Sequence, residues 1–317
     1  SRARHLPMTP LKIVSLLPSA TEIIHLLGLT AYQVGRSHEC DYPAGIEALP
    51  ACTEPKFNPE GSSAEIHDRV TDLLQSALSV YQVNTDLLQQ LQPTHVLTQD
   101  QCEVCAVSLP DVEAAVQAVT GSTPQILSLQ PTVLADVLDD IRWVAKELLG
   151  DTGEAQAKSA IAPLKARLDT CKSLTNDILH KPSVVCIEWT DPLMAGGNWM
   201  PELVALAGGI PKLGEVGHQS AWITWNDLIK ADPEVIILMP CGYSMEKTIQ
   251  ESAVLSKQLH WRLLRAVKTG RVYVVDGNQY FNRPGPRLVD SVEILAEILH
   301  PKLVTPQYKD KAWKLLG

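Results

Sequence analysis

Glu22-Ile-Ile-His-Leu-Leu-Gly28 returns, offset by 180 residues, as Glu202-Leu-Val-Ala-Leu-Ala-Gly208. Each copy follows a short apolar run and closes on glycine, the residue that most readily ends a helix in the left-handed conformation. A second echo links Leu91-Gln-Pro93-Thr-His-Val-Leu-Thr98 to Ala231-Asp-Pro233-Glu-Val-Ile-Ile-Leu238, offset by 140. Both of these run into cysteine-bearing loops, at Cys102 and Cys241. Two lobes of one plan account for the pairs. The unequal offsets place an insert in the first lobe, from about Asp41 to Tyr81, with a helical pattern over 63–79.

Working outward, the first lobe alternates strand and helix: strand Lys12 to Leu17, helix Ser19 to Leu27, strand Gln33 to Arg36, helix Asp86 to Leu91, strand His95 to Thr98, helix Pro110 to Val119 and strand Gln125 to Ser128. Short apolar runs bounded by Pro and Gly and separated by helical patterns predict parallel sheets with crossover helices. Thr132 to Leu149 is the longest clean helical pattern, with Gly150 as its C-cap. A further helix, Glu154 to Cys171, follows. The second lobe repeats the alternation: strand Val184 to Glu188, helix Pro201 to Ala207, helix Asn226 to Lys230, strand Val235 to Met239, helix Glu246 to Lys257, strand Val272 to Val275 and helix Pro286 to Leu299. The expected organisation is an α/β fold. A Rossmann-like lobe over 1–130 and a second over 152–317 are joined by a stiff backbone helix at 131–151, with a ligand cleft between the lobes.

Composition narrows the function. With 317 residues, 45% of them hydrophobic, the chain can bury two ordinary cores. Its net charge of -9 offers no basic face for phosphate backbones, so nucleic acid is not an expected partner. No apolar run reaches the ~18 residues of a membrane-spanning helix, and the opening Ser-Arg-Ala-Arg-His-Leu-Pro has no signal-peptide core. Seven cysteines, at 40, 52, 102, 105, 171, 186 and 241, are an odd number. They favour a reducing compartment, so the cytoplasm is expected, with an extracytoplasmic location as the alternative if a leader has been removed.

Ligands of parallel α/β sheets bind beyond the carboxyl ends of the strands. The stretches there read Pro18-Ser-Ala-Thr21, Ser37-His-Glu-Cys40, Gln99-Asp-Gln-Cys-Glu-Val-Cys105, Glu188-Trp-Thr-Asp191, Pro240-Cys-Gly-Tyr243 and Asn278-Gln-Tyr-Phe-Asn-Arg283. Aromatic residues are only 5% of the chain, yet Trp189, Trp199, Trp222 and Trp225 fall in one stretch, and broad flat side chains suit a large planar ligand. Trp225 reads as a sheet-covering residue. His38, Cys102, Trp199, Cys241, Tyr280 and Phe281 join the ligand-lining candidates through these stretches. His218 is a loop histidine that suits solvation as well as function.

The Cys102-x-x-Cys105 pair alone fits zinc, a redox couple or coincidence. Structural zinc normally takes four ligands, and no second pair exists. Convergence of His38, Cys40, Cys102, Cys105 and Cys241 on a metal is an alternative whose spacing fits no rule. Neither a Gly-x-Ser-x-Gly elbow nor a Gly-rich phosphate loop follows any strand, so hydrolase and nucleotide chemistry lack support. A thiolate or metal enzyme using Cys102, Cys105 or Cys241 stays open as the rival class.

Five segments carry a family resemblance: Val14-Ser-Leu-Leu-Pro-Ser-Ala-Thr-Glu22, His38-Glu-Cys-Asp-Tyr-Pro43, Thr98-Gln-Asp-Gln-Cys-Glu-Val-Cys-Ala-Val107, Met239-Pro-Cys-Gly242 and Asp276-Gly-Asn-Gln-Tyr-Phe-Asn-Arg-Pro-Gly-Pro286. Over roughly residues 11 to 300 the chain resembles the helical-backbone class of ABC-transporter substrate-binding proteins, in its cobalamin-binding branch. The resemblance implies a monomeric clamp that holds a corrinoid such as cobalamin, without catalysis, catalytic cofactor or metal ligation of its own. Pocket positions would fall on Glu39 and Gln99 in the first lobe and on Trp189, Leu193, Trp222, Gln279 and Arg283 in the second. Glu39 and Gln99 stand where cobalamin receptors place aromatics, which makes the first-lobe wall more polar. An acid near each lobe's tip would dock on a membrane permease. Asp86 fits that role, whereas the second position is Asn226 with Asp227 beside it. Siderophore or haem receptors of the same class are the alternative, and they want several Arg or Lys at the strand ends.

Overall fold

The computed structural model describes residues 10–55, 81–99 and 123–317, which divide into two compact α/β units. The sequence-predicted helices over 63–79 and 110–119, together with Cys102 and Cys105, lie outside the described residues.

Unit 1 takes in residues 10–55, 81–99, 123–130 and 142–157. Its elements are β1 (Ile13–Ser15), α1 (Pro18–Leu26), β2 (Gln33–Gly35), β3 (Thr53–Pro55), β4 (Tyr81–Val83), α2 (Thr85–Leu91), β5 (His95–Gln99) and β6 (Gln125–Leu129). Four strands form a parallel sheet in the order β2-β1-β5-β6, with Ile13 opposite His95 and His95 opposite Gln125. The central strand β1 is buried throughout, so it reads as a continuous apolar run. On one face Val14, Val96 and Leu88 make a core with Cys52, against which Leu16, Val34, Leu87, Leu91 and Ile126 pack. Helix α1 starts on Pro18, whose fixed φ suits a first turn, and buries Ala20, Ile23 and Ile24. It ends at Gly28 with φ +75°, where the Gln156 side chain donates to the Leu27 carbonyl. The short antiparallel pair β3-β4 has no counterpart in the sequence reading.

Helix α3 (Leu134–Leu149) and helix α4 (Gly153–Thr175) carry the chain from unit 1 to unit 2. Leu134 to Ile141 belong to unit 2, Arg142 to Ala157 to unit 1, and α4 from Lys158 onward to unit 2. The chain therefore changes unit inside helices, not in a flexible linker. Gly150, φ +62°, ends α3 as its position predicts. The tight entry to α4 demands glycine, since a Cβ on Gly153 would sit 2.4 Å from the Ala145 carbonyl oxygen.

Unit 2 takes in residues 131–141 and 158–317. Its further elements are β7 (Ser183–Thr190), β8 (Leu193–Ala195), α5 (Met200–Leu206), β9 (Ile210–Pro211), β10 (Ala221–Trp222), α6 (Trp225–Ala231), β11 (Val235–Leu238), α7 (Met245–Ser256), α8 (Arg265–Lys268), β12 (Val272–Val275), α9 (Leu288–Leu299) and β13 (Trp313–Leu315). The order β10-β8-β7-β11-β12-β13, with β9 beside β7, corrects the expectation of a wholly parallel sheet. The centre β7-β11-β12 is parallel, but β8, β10 and β13 run antiparallel. At one edge the physical reason is that β7 outruns its parallel partner and the chain turns back into β8, on which β10 pairs; at the other edge Trp313–Leu315 pairs with β12.

One face of this sheet packs Val185, Ile187, Ile236, Leu238, Val272 and Val274 against Leu228, Met245, Leu255 and Trp261. Cys186, on the alternate position of β7, is buried as a small apolar residue, and burial pushes its thiol up to about 12. Helix α9 is anchored by charge. Arg167 pairs with Asp290 and Glu293, and buried Glu297 accepts the Tyr308 N–H at 3.0 Å and the Trp313 indole N–H at 3.0 Å.

Candidate functional site

The strand-end loops of unit 1 are stitched by hydroxyls. Thr21 at the start of α1 donates to Ser15 at 2.8 Å and lies 3.1 Å from the buried Cys40 thiol. After β2, Thr53 donates to Ser37, while it accepts the His38 backbone N–H at 3.0 Å and stands 2.7 Å from His38 Nδ1. Burial holds His38 below the ordinary histidine range, opposed by Glu39, so its ring is neutral at neutral pH. Glu39 is exposed and its N–H bonds Ser37 Oγ. Gln99 closes β5 opposite Leu129 and is exposed. His38, Glu39 and Gln99 thus stand at the carboxyl ends of β2 and β5.

In unit 2 the long strand β7 delivers Glu188 and Trp189 past the parallel centre of the sheet. Trp189 meets Tyr243, which follows β11, edge-on with ring centroids 5.5 Å apart. Trp189 Nε1 and Tyr243 Oη are both buried without a hydrogen-bond partner. Orphan donors of this kind cost about 1–3 kcal/mol each and concentrate where something else completes them. Glu188, on the other face, accepts a hydrogen bond from Ser220, whose Oγ also takes the Gly197 N–H at 2.9 Å. Burial pushes the Glu188 carboxyl up, with the Ser220 bond opposing.

Two loops hold that arrangement together. Asn198, φ +51°, donates its N–H to the His218 carbonyl at 2.6 Å, and Gly217 returns a bond to the Asn198 carbonyl at 3.0 Å. Their backbones touch so closely that a Cβ on Gly197 would lie 2.5 Å from the His218 oxygen. His218 itself is exposed and pairs with Glu215 at 3.0 Å. Trp222, on the edge strand β10, is 53% exposed, and Cys241 is exposed after β11.

The Asp276–Pro286 segment is a built turn. Asp276 Oδ1 accepts the N–H groups of Asn278 and Gln279, and Asn282 Nδ2 donates to the carbonyls of Met239 at 3.0 Å and Gly277 at 2.9 Å. Phe281 takes φ +71°, sends its N–H to Ser291 and accepts the Trp199 indole N–H at 2.6 Å. Arg283 is 8% exposed and donates to Asn278 Oδ1 at 3.3 Å. Arg287 donates to Gln279 Oε1 at 3.0 Å and lies over the Tyr280 ring.

Trp189, Trp199, Trp222, Cys241, Gln279, Tyr280 and Arg283 therefore gather at the carboxyl-end loops of unit 2. Two candidates need correcting. Phe281 is fully enclosed, and Leu193, 3% exposed, belongs to the apolar core of β7, β11 and β12; both side chains pack instead of facing solvent. Trp225 covers the sheet as expected, edge-on to Trp261. Residue patterns missed Ser220, Asn282 and the pairing of Glu188 with Ser220. Only the glycines at 196, 197 and 217 signalled such close loop packing. Among the described residues no group of three or more His, Cys, Asp or Glu side chains is arranged to hold a metal ion, and no helix is long and apolar enough to cross a membrane. No disulfide joins Cys40, Cys52, Cys171, Cys186 and Cys241.

Among proteins of known sequence the chain is similar to the uncharacterized ABC transporter substrate-binding lipoprotein YvrC of Bacillus subtilis (strain 168). The two are 26% identical over 303 residues, which covers 92% of this chain and 81% of that protein. Among solved structures it is similar to the periplasmic heme-binding protein RhuT of Roseiflexus sp. RS-1, at 22% identity and TM-score 0.65, covering 92% of this chain and 99% of that one. It is also similar to the periplasmic vitamin B12 binding protein BtuF of Vibrio cholerae, at 19% identity and TM-score 0.62, covering 92% and 96%. These structural likenesses establish the fold. A family model described as periplasmic binding protein matches residues 13–278, most of the chain, and with the paired α/β units it shows that the protein belongs to the periplasmic binding protein family.

Proposed function

We propose that the protein is the solute receptor of an ABC-type importer and that its ligand is cobalamin or a related corrinoid. The observation that carries the choice of ligand is the state of the arginines in the Asp276–Arg287 stretch. Arg283 is buried against Asn278 and Arg287 is engaged with Gln279 and Tyr280. A haem or an anionic siderophore brings carboxylates that call for bidentate arginines. The rim instead carries aromatic area, on Trp222 and Trp189, suited to an uncharged macrocycle edge. Covering about 100 Å² of apolar area contributes roughly 2.5 kcal/mol before ordering costs. No catalytic step is assigned to Cys241 or the other thiols.

The lipoprotein relative favours an extracytoplasmic location in place of the cytoplasmic one that the odd cysteine count suggested. A permease would be the macromolecular partner. On this reading Asp86, exposed in the first turn of α2, is the acid offered to it. Asp227 is instead bound into the capping box of α6 with Thr224, which leaves exposed Asn226 at the second position.

The test is titration of purified protein with cyanocobalamin and with haemin, followed by visible spectroscopy and calorimetry. Corrinoid binding at micromolar concentration or tighter, about -8 kcal/mol, with weaker haemin binding, is the expected result. Haemin bound more tightly than any corrinoid would transfer the assignment to a haem receptor.

A further inference from the structure

We propose that Glu188, oriented by Ser220, is the group that reads the ligand's periphery, selecting primary amides over carboxylates. The inference rests on the corrinoid reading above and deepens it.

Three observations place Glu188 in this role. First, β7 runs beyond its parallel partners, so Glu188 stands at the carboxyl-end rim where ligands of this sheet type bind. Second, its direction is fixed. Ser220 Oγ accepts the Gly197 N–H and donates its own O–H to Glu188 Oε2, while the Asn198–His218 and Gly217–Asn198 backbone bonds lock both loops. Ser220 therefore makes Oε2 an acceptor and favours the same role at Oε1, which takes no hydrogen bond within the described residues. Third, no cation neutralises it. Among the described residues no Lys, Arg or His forms an ion pair with Glu188, and the thiol of Cys186 on the same strand face is protonated.

A carboxyl whose free oxygen accepts gains from a ligand N–H, whereas a ligand carboxylate brings no proton and sets lone pair against lone pair. A site built to hydrogen-bond one functional group also rejects its isostere more sharply than an apolar wall does. Amide and carboxylic acid differ in little else, so Glu188 can discriminate ligands of the same shape.

The experiment uses the full chain and two corrins with the same macrocycle. Dicyanocobinamide carries primary amides, and dicyanocobyrinic acid carries carboxylates at those positions. Affinities for both are measured by calorimetry at pH 7.5 for the wild type, Glu188→Gln and Ser220→Ala, with circular dichroism as the check on folding. The wild type is expected to favour the amide ligand by at least tenfold. Glu188→Gln should narrow that ratio by about tenfold, chiefly by tighter binding of the acid, and Ser220→Ala by a smaller factor. A ratio within twofold of wild type in Glu188→Gln overturns the role of Glu188 and leaves the corrinoid reading intact. Should Glu188→Gln fail to fold, an unchanged ratio in Ser220→Ala has the same force. Failure of the wild type to bind either corrin removes the corrinoid reading, and this inference with it.

Discussion

Replacing each glycine of the duplicated helix by alanine separates two costs that sequence alone cannot distinguish. Gly28 and Gly208 occupy equivalent places in the repeat and share the left-handed conformation, at φ +75° and +82°. An L-residue there costs about 1–2 kcal/mol. Their surroundings differ. The nearest atom to a Cβ on Gly28 is Gln156 Nε2 at 3.8 Å, an ordinary contact, whereas a Cβ on Gly208 would lie 2.6 Å from His300 Nε2 and 2.7 Å from Thr175 Cβ. His300 cannot retreat freely, since Nε2 is held to the carbonyls of Ala207 at 3.0 Å and Gly208 at 3.1 Å. Forced overpacking adds about 1–3 kcal/mol. Gly28→Ala is thus expected to cost about 1–2 kcal/mol and Gly208→Ala about 2–5. Urea unfolding followed by far-UV circular dichroism reads both, with the slope monitored because two units can unfold in separate steps. Equal costs, or a larger one at Gly28, would refute the packing argument.

Asp140 in α3 has a buried oxygen without a partner, and burial, then Asp136 and Asp139, push its carboxyl up to about 7. Its folded pKa lies above the unfolded one, so the native state binds the extra proton and is penalised at high pH. Asp140→Asn should therefore raise stability by roughly 1–2 kcal/mol at pH 8, after discounting for solvent screening, and the gain should fade toward pH 4; a constant gain across that range would contradict it. Burial holds His300 below the ordinary histidine range, so its contribution is present above pH ~6.5 and is lost as pH falls. His300→Gln should flatten that part of the acid limb, and an unaltered limb would be the contrary result. Trp222→Ala is expected to weaken corrinoid binding about ten- to hundredfold with little change in stability, whereas unchanged affinity would remove Trp222 from the ligand surface. Maleimide labelling with peptide mapping should find Cys241 reactive in the native protein, and Cys52, Cys171 and Cys186 reactive only after unfolding. Their thiols are pushed up to about 11, 11 and 12 by burial. Rapid native labelling of Cys186 would mean that β7 is not the buried strand described.

The duplicated helix with its terminal glycine was legible because its constraints are local. Apolar spacing fixes the buried face, and the φ of Gly28 and Gly208 excludes most other residues. The strands β7, β11 and β12 were legible for a similar reason, as β-branched runs bounded by proline and glycine. The antiparallel edges were not. β8, β10 and β13 are two or three residues long, too short for a period to show; β8 and β10 exist because β7 outruns its neighbours, and β13 pairs with β12 at the other edge. Site residues divided along the same line. Residue type suggested Trp222, but the burial of Phe281 and Leu193 depends on which face each element turns inward. No window around Asp276–Pro286 reveals that Asn282 reaches back to Met239.

The relation between the two copies carries further than their shared frame. In the second, Glu202 sits in the first turn of α5 and accepts the Leu134 N–H at 3.0 Å, capping the helix through which the chain changes unit. In the first, Glu22 is 2% exposed within α1. Glu202 thus serves the architecture of its copy, and burial within α1 takes Glu22 away from the surface of the other. What differs between the copies then falls on the strand ends. The first offers neutral His38 with exposed Glu39 and Gln99, while the second offers Trp222, the orphan donors of Trp189 and Tyr243, and Glu188. Only the second copy lengthens its leading strand, and that extension, by carrying an acid to the rim beside Ser220, is the change in the duplicated plan with the most direct bearing on which solute is bound.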